Sequence, residues 1–360
     1  MGYFLGCFGY GSGPRPKNCD RVCPERASID GGEAPVASMV RRFRWEEIER
    51  LTMNFKEVIG VGGYSMVYLA KFPDSTSGAV KIYNSSERLN QVFKNELEIC
   101  QKLHHAHIVK LLGFCDERDE GVLVFEYIPN GNLQDCLHNQ SPSSQNTTQK
   151  NPNLTLTWTQ RMSIAYQLAQ TLDHLHEHSN PHIIHGDIKS SNILLDDHLE
   201  CQLTDFGCAH VGFSSLMKPS SSRVASMMVG SPGYMDPHFI MTGISSKKSD
   251  IYSFGVVLLE LITGLEACTC SGERQVLLTS RVKTQDRFDV EKVVKKVDKR
   301  ILHVHGEDRV KDEELKAIAS IAENCLHHLP SLRPSASEIC RIMREEIPCV
   351  SSILVPSEKL

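Results

Sequence analysis

Apolar residues along this chain repeat with two different periods. Short dense runs, Ala79-Val80-Lys81-Ile82 and Leu123-Val124-Phe125-Glu126-Tyr127-Ile128, predict strands. The second run ends in the turn Pro129-Asn130-Gly131 and reads as the last strand of a small sheet, with a hinge to a larger body after it. Ile183-Ile184 and Ile193-Leu194-Leu195 read as buried anchors on either side of a polar stretch. Elsewhere the spacing is helical. Phe43, Ile48, Leu51 and Phe55 predict a short amphipathic helix, and Phe93, Leu97, Cys100 and Leu103 mark the apolar face of another. Ile164, Leu168, Leu172 and Leu175 share one face of a long helix from Trp158 to His178. Asp250 to Glu260 predicts a buried helix, and further helices are expected near 289–298, 312–327 and 335–345. The polar segment 139–153 and the stretch 266–285 are expected to be loops. Residues 1–38 are rich in Gly, Pro and Cys, follow neither period and read as a disordered leader.

Composition narrows the picture. A length of 360 residues suits one large domain or two ordinary ones. A net charge of -5 argues against nucleic acid as a partner. The 13 cysteines are scattered without a C-x-x-C pair, which fits a reduced intracellular compartment better than a disulfide scaffold. No apolar run reaches the roughly 18–20 residues of a membrane helix; the best, Phe254 to Ile262, is short and carries Glu260. Met1-Gly2 opens a myristoylation-like motif, but Gly6 stands where that motif wants Ser or Thr. Cys7 is a palmitoylation candidate, and Arg41-Arg42 with Arg44 offer charge to anionic lipid. An unmodified tail is the reading kept.

The chemistry concentrates in Ile183-Ile184-His185-Gly186-Asp187-Ile188-Lys189-Ser190-Ser191-Asn192, followed by Asp205-Phe206-Gly207. Phosphoryl transfer needs this set of groups. One carboxylate orients and deprotonates the attacking hydroxyl, another with a carboxamide holds Mg²⁺ against the phosphates, and a Lys neutralises the transferring group. Upstream, Ile59-Gly60-Val61-Gly62-Gly63-Tyr64-Ser65-Met66-Val67 is a Gly-rich loop able to bring backbone N–H groups to phosphates, although a hairpin turn looks the same in isolation. Lys81 sits inside an apolar strand, a costly place for an unpaired charge. Glu96 borders the apolar face of its helix beside Leu97, whereas Glu98 points outward, so Glu96 is the expected partner of Lys81.

Taken together and in order, these motifs resemble the plant receptor-like protein kinases over residues 43–345, and in form the receptor-like cytoplasmic serine/threonine kinases. The Gly-rich loop, Ala79-Val80-Lys81, Leu111-Leu112-Gly113-Phe114-Cys115, the catalytic loop, Asp205-Phe206-Gly207, Gly230 to Pro237 and Leu332-Arg333-Pro334 all contribute. The resemblance implies an α+β, two-lobed kinase fold, with a mostly antiparallel five-stranded sheet over a helical lobe and MgATP (or MnATP) in the cleft. It divides the chain into a leader at 1–42, a capping helix at 43–54, a kinase domain at 55–346 with lobes 55–128 and 129–346, and a tail at 347–360. It implies Asp187 and Lys189 as catalytic groups and Asn192 and Asp205 as metal ligands. The loop Ile59 to Val67, Lys81 fixed by Glu96, and the backbone of Glu126 and Ile128 would bind ATP, with Val67 over the adenine and Phe125 behind it. Protein substrates are implied, with a membrane receptor kinase or its complex upstream. A cytoplasmic monomer or transient dimer is expected, with peripheral contact at the inner face of the plasma membrane. Lys189 and Ser231 favour Ser/Thr acceptors over Tyr, and a catalytically silent scaffold is the alternative from another class.

Three positions depart from the pattern. Ser65 replaces the third Gly, Gly186 replaces an Arg that would clamp an activation-segment phosphate, and His238 replaces a Glu expected to pair with Arg333. The last departure leads to the expectation that Arg333 lacks a carboxylate and that His238→Glu stabilises the fold. Ser214, Ser215, Ser220, Ser221, Ser222 and Ser226 are the phosphorylation candidates.

Overall fold

The computed structural model describes residues 40–63, 65–138, 154–212, 230–271, 274–285, 287–302 and 310–354. The leader with Gly2 and Cys7, Tyr64, the polar segment 139–153 and the six serine candidates between 214 and 226 lie outside the described residues.

Alternation along the strands decides the small lobe. Strands β1 (Arg41–Arg42), β2 (Val58–Val61), β3 (Ser65–Lys71), β4 (Ser77–Tyr83), β5 (Leu111–Cys115) and β6 (Val122–Glu126) form one sheet in the order β1-β5-β6-β4-β3-β2. Val80, Val122 and Val124 point to one face and meet Phe43 and, on helix α1 (Trp45–Leu51), Trp45, Ile48 and Leu51. Tyr83, Leu123 and Phe125 point to the other face, toward helix α2 (Glu87–Cys100), capped by Ser86, and the rest of the core.

The sheet has six strands rather than the expected five. The sixth comes from Arg41-Arg42, read from sequence as the end of the leader. β1 runs parallel to β5 and lies so close that a Cβ on Gly113 would sit 2.3 Å from the Arg41 carbonyl oxygen. Arg41 pairs with Glu47 at 2.6 Å and Arg42 with Asp116 at 2.7 Å, so the charges assigned to lipid contact are engaged within the small lobe.

The large lobe is helical: α3 (Leu133–His138), α4 (Trp158–Asp173), α5 (Pro237–Thr242) and α6 (Lys247–Thr263) in its first part. A Thr157–Gln160 capping box starts α4, which runs into a wider turn at His174–His178. α6 is buried along nearly its whole length. Two short ribbons, β7 (Ile183–Ile184) with β10 (His210–Val211) and β8 (Ile193–Leu195) with β9 (Cys201–Leu203), frame the catalytic stretch. The expected loop at 266–285 is instead a hairpin of β11 (Cys268–Ser271) and β12 (Arg274–Leu277), helix α7 (Leu278–Arg281) and the start of a second hairpin, β13 (Lys283–Thr284) with β14 (Arg287–Phe288). Most of the first hairpin is exposed, so no apolar face announced it. Helices α8 (Val290–Val294), α9 (Lys299–Leu302), α10 (Asp312–Cys325), α11 (Ala336–Glu346) and α12 (Pro348–Leu354) complete the lobe. Buried Ile347 and Val350 anchor α12, within the stretch expected to be a tail.

Candidate active site

The catalytic stretch is held from below by α6. The Asp250 carboxylate accepts from the backbone N–H of His185 at 2.8 Å and of Gly186 at 2.9 Å, and lies 2.8 Å from His176 Nε2. Asp250, His176 and His185 are inside the protein, where unpaired polar atoms are costly, so the loop has one stable seat. Behind it, the His185 and Phe206 rings pack with centroids 4.8 Å apart.

On that seat Asp187, Lys189, Asn192 and Ser231 form a closed cluster. Lys189 Nζ is 2.7 Å from Asp187 Oδ2 and donates to Ser231 Oγ at 2.8 Å. Ser231 Oγ donates to Asp187 Oδ1 at 2.9 Å. Asn192 Nδ2 donates to the Asp187 carbonyl oxygen at 2.9 Å and to Oδ2 at 3.2 Å, which leaves Asn192 Oδ1 as its acceptor.

The second cluster joins the lobes. Lys81 Nζ is bonded to Glu96 Oε1 and Oε2, at 3.0 and 2.8 Å, and to Asp205 Oδ1 at 2.7 Å. Burial works against the Lys81 charge, but Asp205 and Glu96 outweigh it and leave its pKa raised. Burial also pushes Glu96 up to about 7, against the pull of Lys81. Burial opposes the Asp205 charge as well, yet Lys81 beside it brings that carboxyl down to about 2. Asp205 has a left-handed backbone, φ 67, an uncommon state for a non-glycine residue that turns its side chain at the lobe junction.

The sequence reading missed two functional neighbours. Tyr83 donates its hydroxyl to Glu96 Oε2, and its ring lies 5.0 Å below Lys81 Nζ. A period of two from Lys81 along β4 was the available signal, because residues 81 and 83 must share a face. Asp236, the other, corrects the expectation about Arg333. Its Oδ2 and Oδ1 accept from Arg333 Nη1 and Nη2 at 2.6 and 2.7 Å, in a fork-to-fork pair almost fully buried. The carboxylate therefore comes from two residues before His238. Asp236 also caps α5 by accepting from the His238 N–H at 2.9 Å.

The remaining sequence-named groups belong to the small lobe and its last strand. Ile59, Gly60 and Val61 lie on β2, Ser65, Met66 and Val67 on β3, and Gly62 and Gly63 in the turn between. Glu126 ends β6, where its N–H is used by the Lys110 carbonyl at 3.0 Å, and Ile128 follows it half-buried.

Comparison with known proteins decides what this arrangement belongs to. The protein kinase domain family matches residues 53–343. The chain is a member of the protein kinase family. A rice (Oryza sativa subsp. japonica) protein named salt tolerance receptor-like cytoplasmic kinase 1 is 44% identical over 320 residues, 88% of this chain and 83% of the relative. A probable receptor-like protein kinase of Arabidopsis thaliana is 42% identical over 344 residues, 93% of this chain and 96% of the relative. A probable leucine-rich-repeat receptor-like serine/threonine-protein kinase of the same plant is 34% identical over 340 residues, 94% of this chain but 36% of that larger protein. The family uses ATP and a divalent metal and acts on proteins. No helix among the described residues of this kinase is long and apolar enough to cross a membrane.

Proposed function

We propose that this kinase transfers the γ-phosphoryl group of MgATP to Ser and Thr hydroxyls of protein substrates in receptor-linked signalling. The observation that carries the reading is the single ammonium of Lys81 bonded at once to Glu96 and Asp205, because this links the small lobe, α2 and the catalytic lobe in one arrangement. A silent scaffold has no use for that linkage or for a complete Asp187–Lys189–Asn192 set.

In this reading Lys81 holds the α- and β-phosphates, and the Gly-rich loop from Ile59 to Val67, with Gly60, Val61, Gly62, Gly63, Tyr64, Ser65 and Met66, covers them. The backbone of Glu126 and Ile128 binds the adenine edge. The residues suit Mg²⁺, with Mn²⁺ as a substitute. Asp205 is ionised and half-exposed, the Asn192 carboxamide oxygen has no hydrogen bond among the described residues, and hard oxygen donors of this kind, completed by phosphate and water, are what Mg²⁺ takes. Bound there, the ion would neutralise charge on the phosphates. Asp187 orients the acceptor hydroxyl and takes its proton as the new O–P bond forms and the bond to the β-phosphate oxygen breaks, its electron pair leaving with ADP. That Asp187 already accepts from the aliphatic hydroxyl of Ser231 supports Ser/Thr as acceptors. Lys189 offsets the charge that gathers on the transferring group. A turnover of about 1–100 s⁻¹ is normal for such a site. Its setting is the cytoplasm, with a membrane receptor kinase or its complex as upstream partner, as the relatives' names suggest.

The test is incubation of the full chain with γ-labelled ATP, Mg²⁺ and a mixture of acidic and basic protein substrates, followed by identification of the labelled amino acids. Label on Ser and Thr, lost in Lys81→Met, is expected. Label on Tyr alone would favour a tyrosine kinase, and no label would favour the scaffold.

A further inference from the structure

Beside the C-terminal end of α6 lies a concavity of about 590 Å³ whose walls are basic. Arg281, Lys296, Lys299 and Arg300 line it, against Glu266 and Asp298. Asp298 does little to balance them. It is buried, and its carboxylate is bound by Arg161 at 2.7 Å and Arg300 at 2.6 Å. Neither Lys296 nor Lys299 has an ion-pair partner among the described residues. This excess of positive charge stands out on a chain whose net charge is -5.

The cavity wall is also built rather than incidental. Gly264 ends α6 at φ +64, and a Cβ there would stand 2.6 Å from Asp298 Oδ2 and 2.8 Å from Arg300 Nη2. Only bare backbone lets that ion pair close against the end of the helix. Arg281 is held at the opposite side by the Thr269 hydroxyl, so the hairpin and α7 position it. Arg281, Lys296 and Arg300 are all half-buried, so their charges are less screened than those of free surface side chains.

Two connections place this concavity near the acceptor site. Ala267, whose carbonyl oxygen accepts from the Leu278 N–H at 2.8 Å, also lies against Gly233, 2.8 Å from where a Cβ would be. Gly233 is two residues after Ser231, which donates to Asp187. On the other wall, His138 Nε2 is 3.0 Å from Glu260 Oε1, and Glu260 accepts from Tyr234 at 2.7 Å and from Ser190 of the catalytic stretch at 3.2 Å. An extended chain rises about 3.3–3.6 Å per residue, so the register between the acceptor at Asp187 and the cations is set by how many residues separate the anionic side chain from the hydroxyl.

We propose that this concavity takes an anionic side chain of the protein substrate, a carboxylate or a phosphorylated residue a few positions from the acceptor, and so selects acidic sequences. The proposal rests on the kinase reading above and names its substrate class. Charge-assisted bonds to half-buried guanidinium and ammonium groups give discrimination, and the field speeds the encounter.

The experiment uses the full chain and a neutral Ser-containing peptide in which one Glu, or one phosphoserine, is walked along both sides of the acceptor. kcat/KM should rise about five- to twentyfold at one or two adjacent positions and on one side only. Lys296→Ala/Lys299→Ala should remove most of that gain while leaving kcat/KM for the neutral peptide and KM for ATP unchanged. Lys296→Glu should reverse the preference toward a Lys at the same position. A phosphoserine gain without a Glu gain would assign the site to phosphorylated substrates, and both gains would assign it to acidic side chains in general. No positional gain, or a gain that survives the double substitution, would overturn the proposal. Phosphorylation of the neutral peptide tests the kinase activity separately in the same assay.

Discussion

Glu96 carries the most exposed liability of the site at the scale of single residues. Lys81 and Tyr83 face it from β4, Cys100 lies one turn on along α2, and Asp205 faces it from the catalytic lobe. Burial brings its pKa to about 7, so the ionised form that clamps Lys81 is lost as pH falls through that value, while Asp205, near 2, stays charged. kcat/KM for ATP should therefore decline below about pH 7, and Glu96→Gln should abolish that limb together with most of the activity. Tyr83→Phe removes a donor to the carboxylate, which raises its pKa further. The limb should move to higher pH, with a loss of about two- to tenfold at pH 7. A profile that Tyr83→Phe leaves in place would show that the hydroxyl does not act on Glu96. The Lys81–Glu96 pair was legible because one face of α2 singles out Glu96. The period of two along β4 puts Tyr83 on the face of Lys81, but it does not tell that the phenol bonds Glu96.

Arg333 gives a second residue-scale case. The motif pattern puts no acid opposite this guanidinium at His238, but Asp236 accepts from both of its Nη groups. His238→Glu should accordingly change stability by less than about 0.5 kcal/mol. Asp236→Ala should cost about 3–5 kcal/mol, because it strands a buried cation and uncaps α5. A double-mutant cycle with Arg333→Ala, read by denaturant melts, should return a coupling of at least about 1 kcal/mol between 236 and 333 and none between 238 and 333. The pair escaped the sequence reading because a motif match fixes the expected position, while the folded turn offers a carboxylate two residues away.

At the scale of elements, position 186 decides whether the catalytic loop can bind a phosphate on the segment after Asp205-Phe206-Gly207. Gly186 donates its N–H to Asp250 and has no side chain, so the loop offers no cation there to a phosphate. Activity should depend weakly on phosphorylation of that segment. Phosphatase-treated protein, assayed under conditions that prevent rephosphorylation, should keep its rate within about tenfold; a larger collapse would mean that another cation serves that phosphate. Strong elements with one buried face, such as α2, α4 and α6, were readable in the sequence. The β11–β12 hairpin was not, because most of its residues are exposed, and β1 is only two residues long, too short for any period to show.

At the scale of the molecule, the two lobes are stitched together beside the site. Val109 N–H donates to the Leu203 carbonyl at 3.0 Å, Leu203 N–H to the His107 carbonyl at 2.9 Å, and Asn95 Nδ2 to the Ala209 carbonyl at 2.9 Å. With Lys81 bonded to Asp205, these contacts hold the Lys81 and Asp187 clusters in register, as the proposed phosphoryl transfer requires. The two-lobed fold and the order of its motifs were legible because the motifs lie in or beside elements marked by Gly, Pro or an apolar run, such as Ala79-Val80-Lys81 within β4. The sixth strand and the anchored α12 depend on tertiary packing that no local pattern records. The central claim is that Asp187 does the proton chemistry of phosphoryl transfer on a site that binds nucleotide independently of it. The direct measurement compares wild type and Asp187→Asn for ATP binding by calorimetry and for single-turnover transfer to a Ser peptide. Nucleotide affinity should stay within about threefold, and transfer should fall by at least about 10²-fold. Transfer at the wild-type rate by Asp187→Asn would contradict the account.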